Sequence, residues 1–116
     1  MGRMVSSHLR DQGVVFSHRF EIDSYHAIMA MVADGTGWSM LTPLAWLSAH
    51  RFGDQVDLIP LPFAPLSRTI SLTARKGVLS TMPHTIADQM KPLLKNMVAD
   101  PAIARYPWLQ NELSVL

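Results

Sequence analysis

Cysteine is absent from the 116-residue chain. That excludes disulfides, thiolate metal sites and a cysteine nucleophile. It also fits a reducing compartment, and a cytoplasmic location is expected. No stretch approaches the roughly 18 consecutive apolar residues of a membrane-spanning helix. His8, Arg10 and Asp11 interrupt the N-terminus before the apolar core of a signal peptide could form. No membrane partner is expected. Charge is sparse too, at 16% of residues against roughly 25% in a typical soluble domain. The ten Lys and Arg residues are scattered, and the formal net charge is only +1. No run of them could neutralise several neighbouring phosphates, so nucleic-acid binding by this segment alone is not supported.

Catalytic motifs are also missing. No serine sits in a G-x-S-x-G turn. His8, His18, His26, His50 and His84 lack the H-E-x-x-H spacing of a zinc site. The glycines of Asp34-Gly35-Thr36-Gly37 follow a predicted helix and precede a predicted strand. A dinucleotide loop needs the reverse order. No metal, cofactor or enzymatic activity is expected, with a small α/β enzyme, or a self-association module without ligand response, as the alternative readings.

What the chain has is apolar material, at 48% of residues, including eight methionines and three tryptophans. Small domains bury a modest fraction of their surface, so part of this is expected to need a partner. Gly and Pro punctuate it at short intervals. Residues 4–12 suggest a short helix ended by Gly13. Phe20 and Ile22 alternate with Arg19, Glu21 and Asp23, a strand pattern across residues 18–22. Tyr25, Ile28, Met29 and Val32 form the stripe of a helix burying one face. Gly35 stands where a left-handed residue would end it. Trp38 to Leu41 reads as a strand closed by Thr42-Pro43, and Leu44 to Arg51 as a helix with Leu44, Leu47 and Ala45 or Trp46 inside. Val56 to Pro62 is a strand that its prolines confine to a sheet edge.

Ile70, Leu72 and Ala74 alternate with polar neighbours across Arg68 to Lys76, which predicts a half-buried strand stopped by Gly77. A long helix follows from Pro83 to about Val98, with Ile86, Met90, Leu93, Leu94 and Met97 on its apolar face. Pro92 inside it predicts a kink or break. Short helical turns restart at Asp100-Pro101 and at Tyr106-Pro107. The order strand, helix, strand, helix, strand, strand, helix argues for an α/β layer architecture.

One position stands out chemically. Asp23 or Ser24 caps the predicted helix, and the first turn beyond offers unpaired N–H groups at the positive end of the dipole. Such a turn can bind a small anion, with the Ser24 hydroxyl donating to a carboxylate. Capping alone is the competing role, and both stay open at this point.

The run Phe20-Glu21-Ile22-Asp23-Ser24, then Ala30 to Trp38 with its V-A-x-G-x-G turn, then Leu41-Thr42-Pro43, resembles the C-terminal part of LysR-type effector domains. Val56 to Leu61, Arg68 to Lys76 and the helix from Pro83 are similar to the elements that follow there. The resemblance covers about residues 8–98. Thr36 stands where Leu is commoner, Thr42 where an apolar residue is frequent, and the tail after Asp100 has no counterpart.

The resemblance implies the second lobe of a periplasmic-binding-protein-like (type II) fold, truncated, with a mixed sheet flanked by helices. Residues 1–13 would be a lead-in, 14–98 the effector-domain part and 99–116 a tail. Small effectors, often carboxylates, would bind between lobes and control oligomers on promoter DNA. That DNA would be read only through an N-terminal domain this segment lacks. Asp23, Ser24, Tyr25, Thr42 and Pro43 fall where the family contacts its effector. A homo-oligomer is expected, because the face carrying Ile86, Met90 and Leu94 would otherwise stay exposed.

Overall fold

The computed structural model describes residues 2–17 and 20–116. His18 and Arg19, with the strand expected across them, lie partly outside the described residues. The chain divides into two compact units, Met1–Ser67 and Arg68–Leu116.

The first unit carries three helices. α1 spans Gly2–Asp11, α2 Tyr25–Ala33 and α3 Pro43–Ser48, the last followed by a 3-10 turn at His50–Phe52. α1 and α2 end alike. Beyond α1, the Gly13 N–H donates to Arg10 and the Val14 N–H to Leu9. Beyond α2, the Gly35 N–H donates to Val32 and the Thr36 N–H to Met31. These paired bonds satisfy carbonyls that a helix end leaves open. They require a left-handed residue, and Gly13 and Gly35 hold φ of 72° and 82°. Gln12, just beyond α1, and His8 within it grip one residue of the distant loop. The Gln12 Oε1 accepts from the Ala64 N–H at 3.3 Å, and the His8 Nε2 donates to the Ala64 carbonyl at 2.8 Å.

The core of this unit is Leu9, Met29, Ala45, Trp46 and Ala49, all buried. α2 packs against α3 and the 3-10 turn. Met29 is only 1% exposed, and burying such a side chain contributes about 1.5–3 kcal/mol. Ile28 and Val32 are half-buried beside it, as the stripe predicts, whereas Tyr25 at the helix start is exposed. In α3 the inward residues are Ala45 and Trp46, joined by Ala49 at its C-terminal cap, and Leu44, expected inside, is exposed.

The second unit is helical from Met82 to Arg105. α4 spans Met82–Leu94, a π-helical turn Lys95–Ala99 and α5 Asp100–Arg105, with a 3-10 turn at Pro107–Asn111. Pro92 does not break the helix as expected. It has no N–H to give the Asp88 carbonyl, yet α4 continues to Leu94 and then widens into the π turn. The helix also runs through Asp100, with Pro101 in the first turn of α5. The 3-10 turn returns against α5, burying Leu109 with Ala99 and Ala102. No α4 residue is buried.

The α/β expectation of a mixed sheet flanked by helices is overturned: among the described residues there is no strand. Residues 20–22, 38–41, 56–61 and 68–75 run without helix, turn or bend, but none of them joins a β-ladder. Ile70, Leu72 and Ala74, expected on the buried face of a strand, are open to solvent, Ile70 at 73%. The reason is physical. Alternation specifies which side chains share a face, but a strand exists only once a neighbouring backbone completes its hydrogen bonds. Pro60 and Pro62 remove two of the donors that residues 56–61 and their neighbours would need.

Candidate functional site

The starts of α2 and α3 are built the same way. Ser24 precedes α2 in extended backbone, φ −101° and ψ 119°, and its hydroxyl oxygen accepts from the Ala27 N–H at 3.4 Å. Thr42 precedes α3 at φ −77° and ψ 155°, and its Oγ1 accepts from the Ala45 N–H at 3.2 Å. Pro43 occupies the first helical position of α3, where a missing N–H costs nothing. Sequence reading anticipates the Ser24 cap, and treats Thr42 as the end of a strand and an effector-contact position rather than as a helix cap. The Thr-Pro pair is the signal that marks a helix start there.

A hydroxyl that accepts one hydrogen bond still carries a proton to donate. The Ser24 and Thr42 caps therefore each leave one O–H for another acceptor. The first turn of α2 adds N–H groups without an intrahelical partner, at the positive end of a nine-residue helix.

Beside the start of α2 lies an open cleft of about 1280 Å3, contained within the Met1–Ser67 unit. α1 contributes Arg3, Ser6 and Arg10 to its wall, and α2 contributes Tyr25, Ile28 and Val32. Phe16, Phe20 and Asp23 line one flank, and Trp38 to Leu41 line another. The Phe16 and Trp38 rings meet at 5.8 Å between centroids, tilted by 38°, a distance at which aromatic pairs attract. Among the described residues, four charged ones line the cleft: two guanidiniums, Arg3 and Arg10, and two carboxylates, Glu21 and Asp23. Their formal charges cancel.

Of the five residues singled out from sequence, Asp23 and Tyr25 line this cleft. Ser24 and Thr42 adjoin lining residues in the chain, and neither they nor Pro43 is part of the wall. The α1 residues were not anticipated as part of a site. Their signal is nonetheless present, because Arg3, Ser6 and Arg10 recur at the three- and four-residue spacing of one helix face.

Among the described residues, no group of three or more His, Asp or Glu side chains could hold a metal ion. Among the described residues, no helix is long and apolar enough to cross a membrane. Compared with protein families, residues 1–94 match the model of the LysR substrate binding domain. Comparisons with curated proteins and with solved structures gave no match.

Proposed function

The chain belongs to the LysR substrate-binding-domain family, and on that premise we propose that it forms part of a regulator's effector sensor, receiving a small carboxylate at the starts of α2 and α3. Asp23, Ser24, Tyr25, Thr42 and Pro43 are the residues assigned to the contact. The observation that carries the assignment is the pair of capping hydroxyls. Ser24 and Thr42 each accept one bond, from Ala27 and Ala45, and each hydroxyl retains a proton that can be donated, which suits a carboxylate oxygen. Tyr25 supplies an exposed ring at the cleft edge. Asp23 lines the cleft beside Ser24.

In this reading the module acts by binding rather than by turnover. Effector occupancy biases a homo-oligomer, and promoter DNA is contacted only through a DNA-reading domain outside these residues. The apolar stripe along α4 and the π turn supports the self-association part. Ile86, Met90, Leu93, Leu94 and Met97 are all exposed, Met97 by 70%.

The test separates binding from folding. Ser24→Ala would remove both the cap and the donor. Ser24→Asp keeps a good cap but sets a negative charge against the ligand. A panel of small carboxylates, benzoate and succinate among them, is titrated while the melting temperature is followed. One of them should give a saturable rise. Ser24→Asp should weaken that binding at least tenfold while unfolding free energy stays within about 0.5 kcal/mol. A panel without any stabilising acid sinks the effector reading, and unchanged affinity in Ser24→Asp removes Ser24 from the site.

A further inference from the structure

Residues 69–74 have the pattern of a β-strand and no neighbour to pair with. The segment runs without helix, turn or bend, and every residue in it is exposed. Ile70 is 73% exposed and Leu72 56%. Among the described residues, no backbone group from Thr69 to Ala74 makes a hydrogen bond. A row of open N–H and C=O groups of this kind is a template for another chain. The order of the side chains says which chain. Ile70, Leu72 and Ala74 alternate with Thr69, Ser71, Thr73 and Arg75. From Leu72 outward, the pattern reads alike in both directions.

We propose that residues 69–75 of two copies of this chain pair as an antiparallel ribbon centred on Leu72, forming a twofold dimer. In this register Leu72 stands opposite Leu72, Ile70 opposite Ala74, Ser71 opposite Thr73 and Thr69 opposite Arg75. Residues directly opposite share a face and touch. Every apolar position therefore meets an apolar one. Each hydroxyl of Ser71 meets one of Thr73, a pair that hydrogen-bonds across strands. Other registers fail. A slip of one residue puts every apolar side chain opposite a polar one. A slip of two sets Arg68 against Ala74, or Lys76 against Ile70. The ribbon also limits itself, because the next pair outward is Arg68 with Lys76, and like charges opposite each other repel. A second copy thus brings the same free backbone and the matching side chains, and a twofold axis makes the contact self-complementary. A two-stranded ribbon is marginal alone. It acts together with the exposed stripe of α4, which belongs to the same unit. The inference rests on the self-association part of the proposed function and gives it a register. It is independent of the carboxylate site.

The chain has no cysteine, so single thiols report the register in the full chain. Leu72→Cys would stand opposite itself, at a separation of about 4.5–5.5 Å between Cα atoms that a disulfide spans. In Ile70→Cys or Ala74→Cys alone, the two thiol positions lie roughly 14 Å apart along the ribbon, beyond the disulfide limit of about 7 Å. Under mild oxidation Leu72→Cys should form a covalent dimer at least about tenfold faster than either of these. A mixture of Ile70→Cys and Ala74→Cys should form the mixed dimer at a rate near that of Leu72→Cys. Equal rates at all three positions would mean a parallel pair, and slow rates at all three would mean no pair; both overturn the proposal. Charge gives a second readout, by light scattering on dilution. Leu72→Lys and Leu72→Glu should each weaken self-association about tenfold or more, since like charges then stand opposite each other. Their equal mixture should return to within about threefold of the wild type. A dimer that Leu72→Lys leaves unchanged sinks the ribbon and leaves the α4 stripe standing as the contact. A wild-type chain that stays monomeric at high concentration, and in which Leu72→Cys does not cross-link, removes both.

Discussion

At the scale of single residues, the helix ends carry the clearest physical demands. Gly35 holds φ of 82°, and a Cβ added there would meet no atom within 4 Å. Gly35→Ala therefore isolates backbone strain from crowding. It should destabilise the protein by about 1–2 kcal/mol, the cost of left-handed backbone for an L-residue. Urea denaturation measures this directly. Unchanged stability would mean that α2 ends differently from the paired-bond arrangement at Val32 and Met31. Such positions are legible in sequence because the constraint is local: a glycine after an apolar stripe has few other uses. The Ser24 cap was legible for the same reason. Leu79 and Ser80 adopt left-handed backbone without glycine, at 63° and 49°, and nothing in the structure explains why.

At the scale of elements, α4 shows how a local rule can be absorbed. Proline inside a helix removes a donor and crowds the preceding turn, at a cost of about 3 kcal/mol in a helix interior. The chain takes up Pro92 by continuing to Leu94 and widening into the π turn at Lys95–Ala99. Wider turns of this kind relieve irregular hydrogen bonding inside helices. Pro92→Ala restores the N–H toward the Asp88 carbonyl. It should raise unfolding free energy, by up to about 3 kcal/mol, and increase the helical signal in circular dichroism. A fall in stability would show instead that the π turn, set by Pro92, is what brings Ala99 and Ala102 onto Leu109. Pattern reading placed this helix from its stripe, but the response to Pro92 depended on how the following turn packs.

At the scale of the whole molecule, the apolar stripe of Ile86, Met90 and Leu94 remains uncovered, as the composition foreshadows. Exposed apolar patches of several hundred Å2 ordinarily mark contact sites. Met90→Lys with Leu94→Lys should convert an oligomer to a monomer in light scattering. It should cost the protomer less than about 1 kcal/mol, because neither side chain is buried. A wild-type chain that is monomeric at high concentration would remove the stripe from consideration as a contact. Assembly should also leave the Ser24 region untouched, so a carboxylate that binds the double variant with unaltered affinity is expected.

The sequence by itself determined where the principal helices lie, how α1 and α2 end, which residue caps α2, and the family to which residues 1–94 belong. Those features depend on neighbours within a few positions, where periodicity, caps and glycines act directly. The tertiary structure decided the rest. Whether Phe20–Ile22, Trp38–Leu41 and Arg68–Lys76 become strands depends on a partner backbone, and alternation cannot supply one. Which of the five assigned residues face the cleft, and that Arg3 and Arg10 of α1 face it with them, also depended on how distant segments meet. A local pattern states what a segment can bury, and only contact between segments settles what it does bury.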